Sequence, residues 1–524
     1  MPNVMAEPRA SRTDMAAESA VPYAPVVPST SRTLTRGLAL TIGLAAAAWV
    51  GTSQLRRARQ DSTDSAGASI RGGLRRSAQV AKVGSKTGGA YAVHRARRVF
   101  ADAERREALD TEFEMKTAAQ IAESLGNMKG AMMKLGQMAS YLDAGMPPHV
   151  REALAQLQSD APPMSGELAA GVVESELGAP PEELFAEWDP VPIASASIGQ
   201  VHRAMTHDGV AVAVKVQYPG IDEAIRSDLG SADLLFGGFA MIFPGLESGP
   251  IVEELRERLV EELDYSLEAE NQRFFADTYR EHPFIHVPEV VDALSAKRVL
   301  TTELADGVKF DEMLTWSQDE RDLAAETIFR FVFRSMYGLH AFNGDPHPGN
   351  YLFRPGGHVV FLDFGLVKRF TEDEVETFSS MLRSFVFDQD VATFRKTLDE
   401  IGLLPLSAEF DDDAVIDYFG HFYEWVLADE EMTMTPEYGS ESVRRFFDAS
   451  GPHGDIMKAA NVPPFMVIVQ RINLGLYALM GDMHATRNWR RISEEIWPFT
   501  DGAPSTPMAE AEQDWLRAAE RTPQ

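Results

Sequence analysis

The chain of 524 residues contains no cysteine. Without thiols it can form no disulfide, hold no metal through thiolate ligands and use no cysteine nucleophile. A composition without cysteine also suits a reducing compartment, and we expect a cytoplasmic location. The length and the hydrophobic content of 44% together predict a globular protein of two or three domains.

Basic residues are scarce, since 49 Lys+Arg stand against 79 Asp+Glu and give a net charge of −30. Nucleic-acid binding depends on a basic surface, so the net charge argues against this function. The basic residues are unevenly distributed, because residues 1–106 hold 17 basic and only 7 acidic side chains. The rest of the chain is therefore strongly acidic, which disfavours a polyanionic second substrate.

Long hydrophobic runs are also few, and the apolar stretch 37–51 is short for a helix that crosses a bilayer, which needs about 20 residues. Two interpretations stay open: an anchor that contacts the membrane surface, which would make the protein membrane-associated, and an Ala-rich helix or linker. Residues 1–33 are rich in Pro, Ser and Ala. We expect residues 1–90 to form a disordered, basic head that carries this apolar segment.

Polar side chains with oxygen ligands cluster around a predicted hairpin. The strand-like runs 350–354 and 358–362 are joined by a Pro-Gly-Gly turn. Asn350 and Asp363 therefore lie at the same open end, and Asp345 occupies the turn-rich segment just before it. Carboxylate and amide oxygens are ligands that suit Mg²⁺ when phosphate supplies the others. The hairpin thus predicts a magnesium and phosphate site.

A second candidate is Lys215, in the alternating run 209–217. Strand geometry places Lys215 on one face with the small side chains of Ala211 and Ala213. This face has room for a flat base and a positive charge for its phosphates. The alternative is a solvated lysine on an edge strand. The small-residue turn 192–202 precedes this strand, and its backbone N–H groups are suited to approach phosphates.

Helical patterns account for most of the remaining chain. Residues 107–142 show apolar positions every three or four residues, and residues 251–275 predict an acidic helix. The late apolar stretch 463–480 is interrupted by polar residues, which indicates a packed helix. The apolar stripe within 415–426 favours core packing over a partner surface. Residues 501–524 predict a loose tail.

Three motifs follow the order found in protein kinases: Val212–Lys215 matches V-A-I-K, Asp345 and Asn350 have the catalytic-loop spacing, and Asp363–Gly365 is D-F-G. More narrowly, residues 91–400 resemble the UbiB/ADCK family of atypical, protein-kinase-like proteins. The family motifs present are K-x-G-Q at Lys134–Gln137, an Ala-rich loop at Ala194–Gln200, E-x-D at Glu262–Asp264 and D-P-H-P-G-N at Asp345–Asn350.

The resemblance implies an α+β, bilobal protein-kinase-like fold that binds ATP and Mg²⁺ between the lobes. Residues 91–190 would form a helical K-x-G-Q extension, 191–305 the N-lobe and 306–500 a mostly helical C-lobe. Asp345 would be catalytic, and Asn350 and Asp363 would bind Mg²⁺. The implied ATP-binding residues are Ala194, Ser195, Ala196, Ser197, Ile198, Gly199, Gln200, Ala213, Lys215, Glu268, Glu303 and Ala305.

The resemblance also implies a regulatory lid, formed by Lys134, Gly136 and Gln137 with the E-x-D acids Glu262 and Asp264. In relatives the K-x-G-Q helix lies over the face where a protein substrate would dock. Such a lid would exclude peptides and favour ATP hydrolysis or phosphoryl transfer to a small or lipid-like acceptor. The family further suggests a link to quinone or isoprenoid lipid metabolism.

Two other functions remain as alternatives. Asn343 stands where the family usually has histidine, and Asn343-Gly344-Asp345 is similar to the loop of aminoglycoside and choline kinases. A small-molecule phosphotransferase of that type is therefore the second interpretation. The third is a pseudokinase scaffold that binds nucleotide without turnover. The joint presence of Lys215, Asp345, Asn350 and Asp363 argues against the scaffold, because a decayed site would be expected to lose one of them.

Overall fold

The computed structural model describes residues 164–196, 198–222, 261–344, 346–447 and 451–521. All of them belong to one compact unit that spans residues 73–524. They form a small lobe built on an antiparallel sheet, followed by a larger and mostly helical lobe. This arrangement confirms the α+β, two-lobed class. The predictions for the apolar segment 37–51 and the K-x-G-Q helix lie outside the described residues.

The strands are short and belong to several sheets. In chain order they are β1 Glu187–Ala196, β2 Gly199–Met205, β3 Ala211–Gln217, β4 Ile285–His286, β5 Val299–Glu303, β6 Ala341–Asn343, β7 Tyr351–Arg354, β8 His358–Phe361, β9 Val367–Arg369, β10 Met432–Thr433 and β11 Thr486–Arg487. The N-lobe sheet has the order β1-β2-β3-β5 with all neighbours antiparallel. In the C-lobe, β8 lies between β4 and β7, and two further pairs are β6 with β9 and β10 with β11.

The helices lie mainly in the second lobe. In chain order they are α1 Gly166–Leu177, α2 Pro181–Leu184, α3 Tyr265–Thr278, α4 Phe310–Met313, α5 Gln318–Gly338, α6 Glu372–Leu382, α7 Val391–Glu400, α8 Asp412–Leu427, α9 Pro436–Phe447, α10 Gly454–Ala459, α11 Pro464–Asp482, α12 Trp489–Glu494 and α13 Pro507–Arg521. None of the helices in the described ranges reaches the length and hydropathy needed to cross a membrane.

One face of the N-lobe sheet is covered by α1. Alternation along β3 buries Val212, Val214 and Val216 completely, and they pack against Val172 and Val173 of α1. Residues 166–184 were assigned from sequence to the helical extension. The structure places them in the N-lobe core instead, because the valine face of the sheet would otherwise remain in water.

The other face of the sheet is covered by α3. Tyr265 and Ala269 of this helix form a buried cluster with Leu300 of β5 and with Ile198. The prediction of one helix over 251–275 is wrong in its described part, because the chain turns at residues 262–264 and α3 starts at Tyr265. The Asp264 side chain accepts a hydrogen bond from the Ser266 amide at 3.0 Å. This N-cap favours a new helix start at that point.

The C-lobe is organised around α5, which is buried along most of its length. Its aromatic residues pack against neighbouring elements, for example Phe331 against Phe361 of β8 with ring centroids 3.8 Å apart. The stripe in α8, with Val415 and Val426 fully buried, is part of the same core. The late apolar stretch forms α11, with Ile472 and Met480 in that core. The predictions of core packing for both helices are therefore confirmed.

The C-terminal residues 507–521 form α13, so the prediction of a loose tail is wrong there. Met508 and Ala509 are buried, and Glu512 is fully buried. The Glu512 carboxylate lies 2.6 Å from Arg334 and 2.9 Å from Arg330, both on α5. Arg330 and Arg334 are distant from Glu512 in the sequence, so local sequence patterns could not predict these ion pairs.

Candidate functional site

Lys215 lies on β3, on the face of the sheet that α3 covers. Its Cα partners on the adjacent strands are Val201 and Leu300. The ammonium Nζ is 2.6 Å from Oε1 and 2.9 Å from Oε2 of Glu268, which projects from the first turns of α3. The two side chains are only 16% and 5% exposed. The structure thus brings together the lysine and glutamate of the predicted ATP site as a shielded ion pair.

Asp363 approaches the same lysine from the C-lobe. Its Oδ2 atom is 3.4 Å from Lys215 Nζ, and Oδ1 accepts a hydrogen bond from the Gly365 amide at 3.0 Å. Asn350 ends a short 3₁₀ turn just before β7, and its carbonyl accepts from the Leu362 amide at 3.0 Å. Asn350 and Asp363 therefore lie at the same end of the β7–β8 hairpin, as the sequence predicted.

One face of α3 holds the D-F-G segment. Glu268, Asn271 and Phe275 share this face because they are separated by three and four residues. Glu268 pairs with Lys215, the Asn271 amide donates to the Phe364 carbonyl at 3.2 Å, and the Phe275 ring lies 5.0 Å from the buried Phe364 ring. Helix α3 therefore positions Glu268 and the backbone next to Asp363 as one unit.

Asn343 is a site residue whose role the sequence analysis missed. It ends β6, which pairs with β9, and its side-chain amide donates a hydrogen bond to the Asp363 carbonyl. The Gly344 amide donates to the Leu366 carbonyl at 2.7 Å. The loop that leads into Asp345 is thereby tied to the D-F-G segment. The departure from histidine at this position was a signal that pointed to Asn343.

Tyr265 is a second residue that the sequence analysis missed. Lys215 Nζ lies 5.0 Å from the centroid of its ring, a cation–π distance. The Tyr265 hydroxyl is buried and has no hydrogen-bond partner among the described residues. A Cβ atom added at Gly199 would overlap the Val216 carbonyl oxygen and lie 3.0 Å from this hydroxyl. Gly199 thus lets the Ala-rich turn approach β3 and Tyr265 closely.

The charges around Lys215 determine what the site can bind. Burial would lower the pKa of Lys215, but Asp363 and Glu268 outweigh it and hold the pKa well above its usual value. Burial raises the pKa of Glu268 to about 7 against the opposing effect of Lys215. One ammonium thus faces two carboxylates. A divalent cation at Asp363 fits this arrangement, because it offsets the excess negative charge and accepts oxygen ligands.

The Ala-rich loop forms the end of β1, a turn and the start of β2. Directly opposed strand residues share a face. Ala194 and Ala196 pair with Val201 and Gly199, so they lie on the Lys215 face. Ser195 pairs with Gln200 on the opposite face, and Ile198 is buried in the cluster beneath α3. Ser197 lies outside the described residues.

The side chain of Gln200 makes contacts within the protein, whereas the sequence predicted that Gln200 binds ATP. Its side chain accepts from the Met164 amide at 2.9 Å and donates to the Met164 carbonyl at 3.1 Å. It also lies 2.9 Å from Nε2 of His202. The Gln200 side chain therefore holds the segment before α1, on the face of the sheet opposite Lys215. Any nucleotide contact from Gln200 would have to come from its backbone.

Two predicted ATP-binding residues, Glu303 and Ala305, lie where the last strand of the N-lobe ends and the connection to the C-lobe begins. Glu303 ends β5 opposite Val212, and its carboxylate lies 3.2 Å from Nε2 of His286, so the side chain lies on the face away from Lys215. The Leu304 amide donates to the Ala211 carbonyl at 3.0 Å, and Ala305 comes next in the connection to the C-lobe. Ala213 lies on the Lys215 face, as predicted.

Part of the predicted lid and the predicted catalytic residue fall outside the described residues, namely Lys134, Gly136, Gln137 and Asp345. The two lid acids are described. Glu262 is buried, and Asp264 caps α3 and lies 3.8 Å from the Lys297 ammonium. Asp264 therefore has a structural role in starting the helix that carries Glu268.

The Lys215–Glu268 ion pair lies beside the aspartate of the D-F-G motif, and the fold has a small β-sheet lobe and a larger helical lobe. Together these features define the protein-kinase-like class. Residues 156–398 match the model of the ABC1 atypical kinase-like domain. The chain belongs to this ABC1 atypical kinase-like family, which confirms the resemblance to UbiB/ADCK proteins.

Known relatives show the same relationship. The mitochondrial atypical kinase COQ8B of Rattus norvegicus is 32% identical over 51% of this chain and 51% of its own length. The chloroplastic protein ACTIVITY OF BC1 COMPLEX KINASE 1 of Arabidopsis thaliana is 35% identical over 48% and 38%. The matched region thus spans about half or less of each of these curated relatives. The structure of Rv3197 from Mycobacterium tuberculosis, solved in complex with erythromycin, is 30% identical, with a TM-score of 0.55, and the alignment covers 75% of this chain and 98% of that one.

Proposed function

We propose that the protein binds ATP with Mg²⁺ and acts as an ATPase or phosphotransferase of the atypical kinase type. The observation that carries this proposal is the convergence of Lys215 with Glu268 and Asp363. Lys215 Nζ lies 2.6 Å from the carboxylate of the N-lobe helix and 3.4 Å from that of the C-lobe hairpin. An ammonium held between two carboxylates is suited to bind a phosphate whose metal ion neutralises one of them.

Each residue has a distinct part in this proposal. Lys215 would bind the α and β phosphates, and Glu268 would orient the ammonium. Asp363 and Asn350 would hold Mg²⁺, which supplies positive charge against the charge that develops on the transferred phosphoryl group. Asp345 would orient the attacking hydroxyl or water and accept its proton. The alanine side chains on the Lys215 face leave room for the nucleotide base.

The acceptor is proposed to be small or lipid-like. A lid formed by the K-x-G-Q segment with Glu262 and Asp264 would exclude peptide substrates, which supports this class of acceptor. The family resemblance suggests a role in quinone or isoprenoid lipid metabolism, and the relatives include the mitochondrial atypical kinases COQ8B and COQ8. The erythromycin complex of Rv3197 makes macrolides a further ligand class to test.

The decisive experiment measures phosphate release from ATP. We expect slow, Mg²⁺-dependent turnover by the wild type and at least about a hundredfold loss in Asp363→Asn, because oriented electrostatic groups at a reacting phosphate contribute several kcal/mol. Asp413→Asn is the matched control, since Asp413 is exposed on α8 and remote in sequence from the site. If nucleotide binds but wild type and Asp363→Asn release phosphate equally slowly, the pseudokinase scaffold is the better interpretation.

The acceptor class is tested by ligand-induced stabilisation with ATP and Mg²⁺ present. The panel contains phospholipids, quinone-head phenols, aminoglycosides and a macrolide. Stabilisation and faster turnover with lipids or phenols would support the proposal. Phosphorylation of aminoglycosides would instead support the second interpretation, a small-molecule kinase of the aminoglycoside and choline type.

A further inference from the structure

A cavity of about 480 Å³ lies where the two lobes join. Its wall is formed by the end of α3 with the segment up to Val287, by Glu289 and Glu303, and by Arg354 and His358 of the β7–β8 hairpin. We call this cavity the junction pocket. Of the predicted nucleotide-site residues, only Glu303 also lines this pocket, and its side chain lies on the face of the sheet away from Lys215. Its volume falls in the range of small-molecule sites.

Most charged side chains around the junction pocket are already paired. Arg280 lies 2.6 Å from Asp277 and 2.7 Å from Glu289. Glu303 lies 3.2 Å from His286, and His282 lies 3.5 Å from Glu512. The two carboxylates neutralise Arg280 from within the protein, whereas the histidine contacts carry charge only when the ring is protonated.

Arg354 is the exception among the cations. It is exposed to the pocket and has no carboxylate partner among the residues that the structure describes. In a protein with a net charge of −30, an arginine left unpaired in a recess is available to an external anion. Glu281 has no ion-pair partner among the described residues and Glu303 has only a histidine, so these two lining carboxylates disfavour a ligand of higher negative charge.

His358 lies directly beside Arg354. The two residues are Cα partners across the β7–β8 hairpin, so their side chains are adjacent on one face. Burial and the charge of Arg354 lower the pKa of His358, so its ring is neutral near pH 7 and offers one N–H donor. A carboxylate placed between them would accept from both side chains.

The pocket also has an apolar wall beside this pair. The Phe284 ring lies 5.9 Å from the His358 ring, and the buried residues Ile285 and Val287 also line the pocket. A flat or aliphatic body would therefore leave water on binding, while its charged group stays near Arg354.

We propose that the junction pocket is a second binding site, distinct from the nucleotide site, for a small monoanionic carboxylate with an apolar body. The carboxylate would pair with Arg354 and accept a hydrogen bond from His358. Because the wall includes strand residue Glu303 and hairpin residues of the C-lobe, the ligand would contact both lobes at their hinge.

Isothermal titration calorimetry of the full chain with benzoate tests this proposal. We expect saturable binding by the wild type, at least about tenfold weaker in Arg354→Gln, since a bidentate ion pair contributes over 1.4 kcal/mol. Arg517→Gln is the control, because Arg517 is an exposed arginine that pairs with Asp514 on α13. Benzyl alcohol has the same ring without the charge and should bind far more weakly, and phenyl phosphate separates a carboxylate site from a phosphate site.

Three outcomes would overturn the proposal: no saturable benzoate binding, equal affinity in wild type and Arg354→Gln, or tighter binding of benzyl alcohol or phenyl phosphate than of benzoate. Should Arg354→Gln unfold, His358→Gln serves as the second variant, and NMR of the wild type should show a higher His358 pKa when benzoate is bound. All measurements omit nucleotide, so an inactive ATP site would not alter their result.

Discussion

The Asn271 side-chain amide donates a hydrogen bond to the Phe364 carbonyl across 3.2 Å, and this contact joins α3 to the D-F-G segment. One turn away on the same helix, Glu268 pairs with Lys215, and Phe275 packs on the Phe364 ring. A shift of α3 would therefore move the Lys215 partner and the backbone of Asp363 together. Asn271 is a positioning residue for the proposed reaction, because it acts through these two groups.

We expect Asn271→Ala to reduce ATP turnover while ATP binding changes less. The lost hydrogen bond leaves the Phe364 carbonyl without this donor and should lower the free energy of unfolding by about 1 kcal/mol. Urea denaturation and steady-state phosphate release measure the two effects. Asn461→Ala is the control, because Asn461 is exposed in the C-lobe. Unchanged turnover in Asn271→Ala would show that α3 is held without this bond.

Two glycines of the N-lobe provide a matched pair of substitutions. A Cβ at Gly199 would overlap the Val216 carbonyl, whereas a Cβ at Gly171 in α1 meets no atom within 4 Å. We expect Gly199→Ala to destabilise the protein by about 1–3 kcal/mol, as overpacking does. Gly171→Ala should stabilise it by up to about 1 kcal/mol, since alanine favours the helix. Thermal unfolding followed by circular dichroism checks both, and equal effects would contradict the close approach at Gly199.

The sequence predicted the residues that act through local geometry or a motif. Alternation placed Lys215 beside Ala213, and the hairpin placed Asn350 with Asp363, because both follow from strand periodicity and turn chemistry. The side-chain partners of Gln200 and Asp264 were not predictable in this way. Gln200 binds the backbone of Met164, and Asp264 caps a helix whose start was hidden in a continuous acidic pattern.

Ion pairs between residues that are distant in the sequence could not be predicted either. Glu512 lies in a segment that is polar and charged, which is typical of a tail. Its burial depends on Arg330 and Arg334, whose positions on α5 are set by tertiary packing. Pattern analysis has no access to such a pair, because the spacing between the partners carries no periodicity.

Glu512→Gln should destabilise the protein. Arg330 keeps Glu326 and Glu495 as partners, but Arg334 loses the carboxylate it binds, so we expect a cost of about 1–3 kcal/mol. The control is Glu510→Gln, because Glu510 is exposed on the same helix. Chemical denaturation at pH 7 measures the difference. Equal stability of the two variants would mean that α13 is held by its apolar contacts alone.

The same carboxylate predicts a pH dependence. Burial would raise the pKa of Glu512, but His282, Arg334 and Arg330 outweigh it and lower the pKa to about 2. A lowered carboxyl pKa contributes stability above the unfolded value of 4.5 and loses it as the pH falls toward 2. Wild type should therefore lose more stability between pH 4.5 and 2 than Glu512→Gln does. Parallel stability curves for the two proteins in this range would contradict the assignment.

Tyr265→Phe removes the hydroxyl of Tyr265 and keeps its ring, so it separates the effect of the hydroxyl from that of the ring. The Phe ring retains the cation–π contact with Lys215, and the substitution removes a buried hydroxyl that has no described partner. Because an unsatisfied buried polar group costs about 1–3 kcal/mol, we expect the free energy of unfolding without nucleotide to stay constant or rise. Tyr265→Leu should instead lower it, since the ring beneath the ammonium is lost. Urea denaturation of both variants tests this order, and a clear loss of stability in Tyr265→Phe would show that the hydroxyl makes a stabilising hydrogen bond in solution.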